Sequence, residues 1–184
     1  ELAREILNMD DQIDYKEVEI EEECLKILAL YQPVAIDLRF LIGVLKMNND
    51  LERIGDLCVN IARRSMFLAK RPPTTPPFDL ATMAEKSTLM LHRAIDSLIN
   101  MNADLARQVC ADDQEIDKLN RGMYQKVYEA IKKNPDHVEE LIQYLSASRY
   151  LERIADYTTN IAEDVIYMVD GSIVRHGLDS SMNS

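Results

Sequence analysis

One segment of this chain occurs twice. Residues 51–62 read Leu-Glu-Arg-Ile-Gly-Asp-Leu-Cys-Val-Asn-Ile-Ala, and residues 151–162 read Leu-Glu-Arg-Ile-Ala-Asp-Tyr-Thr-Thr-Asn-Ile-Ala. Leu, Glu, Arg, Ile, Asp, Asn, Ile and Ala coincide, eight of twelve positions, so the segment is an internal repeat and the chain is built from two related units. In both copies an acid or amide recurs every fourth residue: Glu52, Asp56 and Asn60, then Glu152, Asp156 and Asn160. On a helix this spacing stacks three oxygen-bearing side chains on one face. Helical structure is also what the composition favours, with only five Gly and six Pro in 184 residues and 47% apolar residues.

Apolar periodicity divides the chain into five expected helices. The first covers residues 1–31, with Leu2, Ile6, Met9, Ile13, Ile20, Cys24, Ile27 and Tyr31 on one stripe. Pro33 ends it. A long helix follows over about 34–69. Gly55 lies inside it at the position that Ala155 holds in the second copy, a pairing that points either to close approach by a neighbouring helix or simply to tolerance of a small residue. Pro72, Pro73, Pro76 and Pro77 make residues 71–78 a stiff linker. Three more helices are expected over 80–101, 103–133 and 136–169. Asn134 and Pro135 separate the last two, and Gly171 is placed as a C-cap. The polar tail is expected to fray.

The repeat reaches beyond the opening segment. Glu1-Leu2-Ala3-Arg4 matches Asp104-Leu105-Ala106-Arg107, and Asp10-x-x-Ile13-Asp14 matches Asp113-x-x-Ile116-Asp117. The expected organisation is all-α. Residues 1–70 form a first, incomplete repeat of two helices, 71–78 the linker, 79–171 a second repeat of three helices and 172–184 the tail. The full architecture is two tandem three-helix bundles, the first lacking its first helix in this chain. The natural protein is expected to carry that helix ahead of Glu1; without it, the first bundle exposes an apolar face unless a partner chain covers it.

Four acidic pairs repeat with the units: Asp10/Asp14 and Glu52/Asp56, then Asp113/Asp117 and Glu152/Asp156. Within each unit they lie on consecutive helices, hence on antiparallel neighbours whose carboxylates can face one another. Like charges four apart on a helix destabilise it by about 0.2–0.5 kcal/mol per pair. Arg53 and Arg153 point about 100° away from the preceding Glu, whereas Arg149, three residues before Glu152, could pair with it. The alternatives are an acidic surface held by such arginines or a bound cation. Carboxylate and amide oxygens suit hard or borderline metals such as magnesium, manganese or iron.

Several classes are disfavoured. A net charge of −11 argues against nucleic acid as the main partner. No apolar run reaches the roughly 18–20 residues of a membrane span, so membrane insertion is not expected. Cys24, Cys58 and Cys110 have no metal-finger or redox spacing and fit buried thiols in a reducing compartment. His92, His137 and His176 fall outside the acidic motifs, and the residues three after Glu52 and Glu152 are Gly55 and Ala155, so the Glu-x-x-His step of ferritin-like oxidases is absent. No nucleophile–base set or phosphate loop stands out, and the chain is not expected to be an enzyme.

These residues together resemble the PhoU family of phosphate-specific transport accessory proteins. The resemblance rests on Gln32-Pro33-Val34-Ala35-x-Asp37-Leu38-Arg39, on both copies of the repeated segment, and on Glu163-Asp164 and Gly171-x-x-x-Arg175-His176. It implies two three-helix bundles and metal ions (iron, zinc, manganese or magnesium) held by Asp10, Asp14, Glu52, Asp56, Asp113, Asp117, Glu152 and Asp156. It also implies a cytoplasmic, non-catalytic homodimer that couples the transporter's ATPase subunit to a sensor histidine kinase and represses the phosphate-starvation response. The alternative is a carboxylate-bridged metal bundle with an enzymatic or storage role.

Overall fold

The computed structural model describes residues 1–171. Among these, all regular structure is helical: α1 (Leu2–Tyr31), α2 (Ile36–Leu68), α3 (Leu80–Ile99), α4 (Ala103–Asn120), α5 (Met123–Lys133), a single 3-10 turn (Pro135–His137) and α6 (Val138–Asp170). Local chemistry sets most boundaries. The Asp79 carboxylate accepts from the Thr82 amide at 3.0 Å to start α3, and the Asn102 side chain accepts from the Leu105 amide at 3.0 Å to start α4. Gly171, at φ 70°, closes α6 in the left-handed conformation expected of it.

The continuous helix expected over 103–133 is in fact two. Gly122 adopts φ 83° and interrupts the i→i−4 ladder between α4 and α5. The apolar period runs through this break, with Ile116, Met123 and Val127 all buried, which is why periodicity did not reveal it. At the corresponding place in the first repeat the chain has Glu19, and α1 runs straight through.

The two long motif helices form the spine of the molecule. They are antiparallel: Gly43 abuts Met168, Lys46 Nζ lies 3.3 Å from Asp164 Oδ1, and Arg64 donates to Gln143 Oε1 at 3.0 Å and to the Tyr150 hydroxyl at 3.3 Å. One core serves both repeats, with Met47, Ile54 and Leu57 from α2 joined to Met83, Met90, Val109, Ile116, Ile154 and Val165. In the second repeat α3 packs on α4 and α6, crossing α4 antiparallel through Arg93–Asp112 and Lys86–Glu115. The linker is tied to α6 by the Tyr144 hydroxyl, which donates to the Thr74 carbonyl at 2.6 Å, and by the Arg71–Glu139 ion pair.

In the first repeat α1 packs chiefly on α2. Of its expected inward stripe only Cys24 is buried, whereas Leu2, Met9, Ile13, Ile20 and Tyr31 are exposed. The stripe is correctly phased, but within these residues no third helix lies against it. On α3 the buried face is formed by Met83, Ser87, Met90, Ala94 and Ser97, while Met101 is exposed.

Candidate metal-binding site

The first acidic set lies across the α1–α2 pair. Two contacts fix how these helices face: the Asn48 side chain donates to the Glu17 carbonyl at 2.7 Å, and a Cβ placed on Gly55 would stand 3.2 Å from Ile13 Cδ1 and 3.8 Å from Asp10 Oδ1. The close approach expected at Gly55 is therefore real, and α1 is the helix that makes it. This register brings Asp10 and Asp14 toward Asp56 and Glu52. Partial burial, then the neighbouring charges of Asp14, Asp56 and Asp11, raise the Asp10 pKa, against a smaller opposing pull from Arg63. Partial burial likewise raises Glu52; Arg53 opposes it, and Asp56, Asp14 and Glu17 push it further up.

Arg53 is closer to this set than its place on the helix suggests. Its Nε lies 3.4 Å from Glu52 Oε2 and its Nη1 3.5 Å from Asp56 Oδ2. A long side chain can curl back over the adjacent residue, so the 100° separation of Cα–Cβ directions did not exclude the pairing.

The second set lies across α4 and α6 and carries more strain. Burial raises the Asp113 carboxyl to about 6, helped by the charges of Asp117, Asp156 and Glu152. Asp156 is raised by burial, then by Glu152 and Asp117, with Arg153 opposing. Here the arginines turn elsewhere. Arg153 donates to the Tyr157 hydroxyl at 3.3 Å and lies over that ring, and Arg149 donates to the Tyr124 hydroxyl at 2.7 Å rather than pairing with Glu152.

Two cysteines flank the sets, which spacing alone had set aside. The Cys58 thiol is raised by burial and by Asp10, and Cys110 is pushed up to about 11 by burial with Glu163 and Asp113 beside it. Such thiols stay protonated near neutral pH and are poor ligands in that form. Cys110, three residues before Asp113, shares its helix face, so that neighbour was legible; Cys58 required the α1–α2 register. Of the histidines, His92 is exposed and His137 sits at the linker, its Nδ1 3.4 Å from the Thr74 hydroxyl; His176 and the Arg175-His176 motif lie outside the described residues.

Each set thus gathers hard oxygen donors whose repulsion is incompletely offset, a donor chemistry that fits a hard or borderline cation. Among the described residues, however, no three His, Cys, Asp or Glu side chains stand close enough to hold an ion as they are arranged.

Comparison with known proteins places this architecture. The family model described as the PhoU domain matches residues 1–65 and again 80–165, one match per repeat. This chain belongs to the PhoU family. It is 38% identical over 176 residues to the phosphate-specific transport system accessory protein PhoU homolog of Aquifex aeolicus, covering 96% of this chain and 80% of that protein. Its Pseudomonas aeruginosa counterpart is 36% identical over 176 residues, covering 95% of this chain and 73% of its own length. The crystal structure of PhoU from Pseudomonas aeruginosa superposes with a TM-score of 0.90 at 35% identity, over 93% of this chain and 82% of that one. The phosphate transport system regulatory protein PhoU from Streptococcus pneumoniae gives 0.80 at 32%, over 94% and 81%. The all-helical bundle architecture inferred from the repeat is the PhoU architecture.

Proposed function

We propose that this PhoU-family chain is a non-catalytic cytoplasmic regulator of phosphate uptake. In this reading it couples the ATPase subunit of a phosphate-specific ABC transporter to a sensor histidine kinase, and holds the phosphate-starvation response off while phosphate is plentiful. The observation that carries it is the double match to the PhoU domain, together with relatives named as accessory proteins of the phosphate-specific transport system. No described helix is long and apolar enough to cross a membrane, so docking on a transporter would be peripheral.

Metal is a tuning element in this proposal. Asp10, Asp14, Glu52 and Asp56 would hold one ion or cluster, and Asp113, Asp117, Glu152 and Asp156 another. The raised carboxyls of Asp10, Glu52, Asp113 and Asp156 support this: burial raises them first and neighbouring carboxylates add to it, and a cation would offset both. Cations that keep part of their water shell need only one or two carboxylates, so a closed three-ligand cage is not required. What a bound ion supplies is positive charge between adjoining helices.

The test has two arms. In cells lacking this gene, the chain should restore repression of a phosphate-starvation reporter at high phosphate; continued full expression of the reporter would refute the regulatory reading. Protein purified without chelators should carry metal, and Glu52→Gln with Asp56→Asn should lower its content. Less than about 0.1 ion per chain in the unaltered protein, with stability indifferent to chelation, would remove the metal reading and leave regulation standing.

A further inference from the structure

The two repeats carry opposite charge at one equivalent place. Residues 118–133, the end of α4 and all of α5, hold Lys118, Arg121, Lys126, Lys132 and Lys133 against the single acid Glu129. Aligning Asp10 with Asp113 matches this stretch to residues 15–30 of α1, where Glu17, Glu19, Glu21, Glu22 and Glu23 stand against Lys16 and Lys26. The fold accepts either sign there, so it does not itself require the basic one. In a chain of net charge −11, the basic stretch is a local exception.

α5 turns this charge outward together with aromatic rings. Met123 and Val127 are buried and fix the helix to the core. Tyr124, Tyr128 and Lys132, each four residues from the next, line an exposed side, with the two rings 61% and 53% exposed. Arg149 of α6 donates to the Tyr124 hydroxyl at 2.7 Å, and Lys132 Nζ stands 4.5 Å from the centre of the Tyr128 ring. Ile142, about two turns before Arg149 on the same face of α6, is 48% exposed and adds an apolar element. Among the described residues, Arg121, Lys126, Lys132, Lys133 and Arg149 are all exposed and none is in an ion pair. Glu129 accepts from Gln125 at 2.9 Å rather than from a base. The neighbouring helices behave differently: Lys86 pairs with Glu115, Arg93 with Asp112 and Arg107 with Asp170.

We infer that this α5–α6 face docks a short acidic segment of another protein. Arg149 and Lys132 are held in place by the tyrosines they touch, so little ordering remains to be done when a carboxylate arrives. The Tyr124 oxygen accepts from Arg149, and its own proton is left to donate to the same carboxylate. Exposed tyrosine rings beside arginine are the composition of an interface centre, with the lysines at its rim. The size of the face selects the occupant. α5 has 11 residues and is about 16 Å long, and charge is screened beyond about 8 Å at physiological salt. A nucleic-acid duplex or an anionic bilayer extends past this and would meet the surrounding acids of a negatively charged chain. A second copy matches less well, because on the equivalent stretch of α1 Glu19 and Glu23 are already engaged by Lys16 and Lys26.

The test uses the full chain and a fluorescein-labelled synthetic peptide of Glu and Asp with one central Phe. A peptide of Gln and Asn with the same Phe serves as its uncharged counterpart. Affinity is read by fluorescence anisotropy at low and physiological salt. The variants are Lys132→Gln/Arg149→Gln, Tyr124→Ser/Tyr128→Ser and, away from this face with the same change of charge, Arg4→Gln/Lys70→Gln. The unaltered chain should bind the acidic peptide about tenfold or more tightly than its counterpart, and less tightly as salt rises. Lys132→Gln/Arg149→Gln should lose about tenfold and flatten the salt dependence. Tyr124→Ser/Tyr128→Ser should lose about fivefold or more with the salt dependence kept, and Arg4→Gln/Lys70→Gln should stay within about threefold. Circular dichroism of every variant should match that of the unaltered chain, and if a variant on this face unfolds, Lys132→Gln alone replaces it. Equal binding of the two peptides, or equal losses in Lys132→Gln/Arg149→Gln and Arg4→Gln/Lys70→Gln, would overturn the proposal. So would tighter binding of the same face to a duplex oligonucleotide or to anionic phospholipid vesicles, or loss of self-association in sedimentation velocity when Lys132 and Arg149 are changed.

Discussion

Replacing Asp113 by Asn removes the cost of ionising a half-buried carboxyl among other carboxylates between helices. In the folded chain, burial and the charges of Asp117, Asp156 and Glu152 raise Asp113 from an ordinary 3.8 to about 6. A carboxyl raised on folding binds more protons folded than unfolded. Its contribution is therefore most favourable below about pH 4 and is lost as pH rises through about 6. Two units at about 1.4 kcal/mol each give an upper bound near 3 kcal/mol; partial exposure and salt bring the expected cost down to about 1–2 kcal/mol. Asn has the same shape and cannot ionise. With chelator present near pH 8, Asp113→Asn should raise stability by that amount, a melting temperature higher by about 2–8 °C, and near pH 4 the gain should almost vanish. The chain has no Trp, so urea and thermal unfolding are best followed by far-UV circular dichroism. Added metal should then stabilise the unaltered protein more than the variant. A loss of stability near pH 8 without metal, or an equal gain at both pH values, would show that burial and neighbouring charge do not raise this group.

Gly122→Ala should lower stability by about 1–2 kcal/mol, since φ 83° strains any side chain there and no atom lies within 4 Å of the added methyl; a neutral result in thermal unfolding would mean the α4–α5 break relaxes freely. Gly43→Ala places its methyl 2.4 Å from Met168 Sδ, so overpacking of about 1–3 kcal/mol should outweigh a helix-propensity gain of up to about 1, and Met168→Ala in the same chain should recover part of the loss in a double-mutant cycle. Gly55→Ala meets Ile13 Cδ1 at 3.2 Å, but Ile13 is 37% exposed and free to yield, so urea unfolding should show a neutral to slightly favourable change, consistent with Ala155 in the other repeat; a loss above about 1 kcal/mol would mean that α1 cannot move.

The repeat made the architecture legible because it fixes periodicity and equivalence together. Once residues 51–62 and 151–162 are matched, the helices that precede them match as well, and the facing of Asp10/Asp14 with Glu52/Asp56 follows from chain adjacency alone. Three features escaped for separable reasons. The break at Gly122 lies where buried Ile116, Met123 and Val127 keep a helical period, so hydrophobic spacing could not register a change in backbone φ. The return of Arg53 onto Glu52 and Asp56 depends on a flexible side chain rather than on the direction of its Cβ. The pairing of Lys46 with buried Asp164 depends on how two repeats meet, a relation that equivalence within the chain does not specify.

That last relation explains why two nearly identical motifs carry different electrostatic loads. Glu52 and Asp56 lie opposite a helix backed by no third helix among the described residues, so water and Arg53 share in screening them. Asp113 sits in a bundle that α3 completes, and the arginines that flank Glu152 in sequence, Arg149 and Arg153, bond to tyrosine hydroxyls instead. The same four acid positions therefore give modest shifts in one repeat and a carboxyl near 6 in the other. A cation entering both sets would relieve more repulsion in the second, so the second set should fill first on titration with metal, and Asp113→Asn should blunt the tighter step while leaving the weaker one in place.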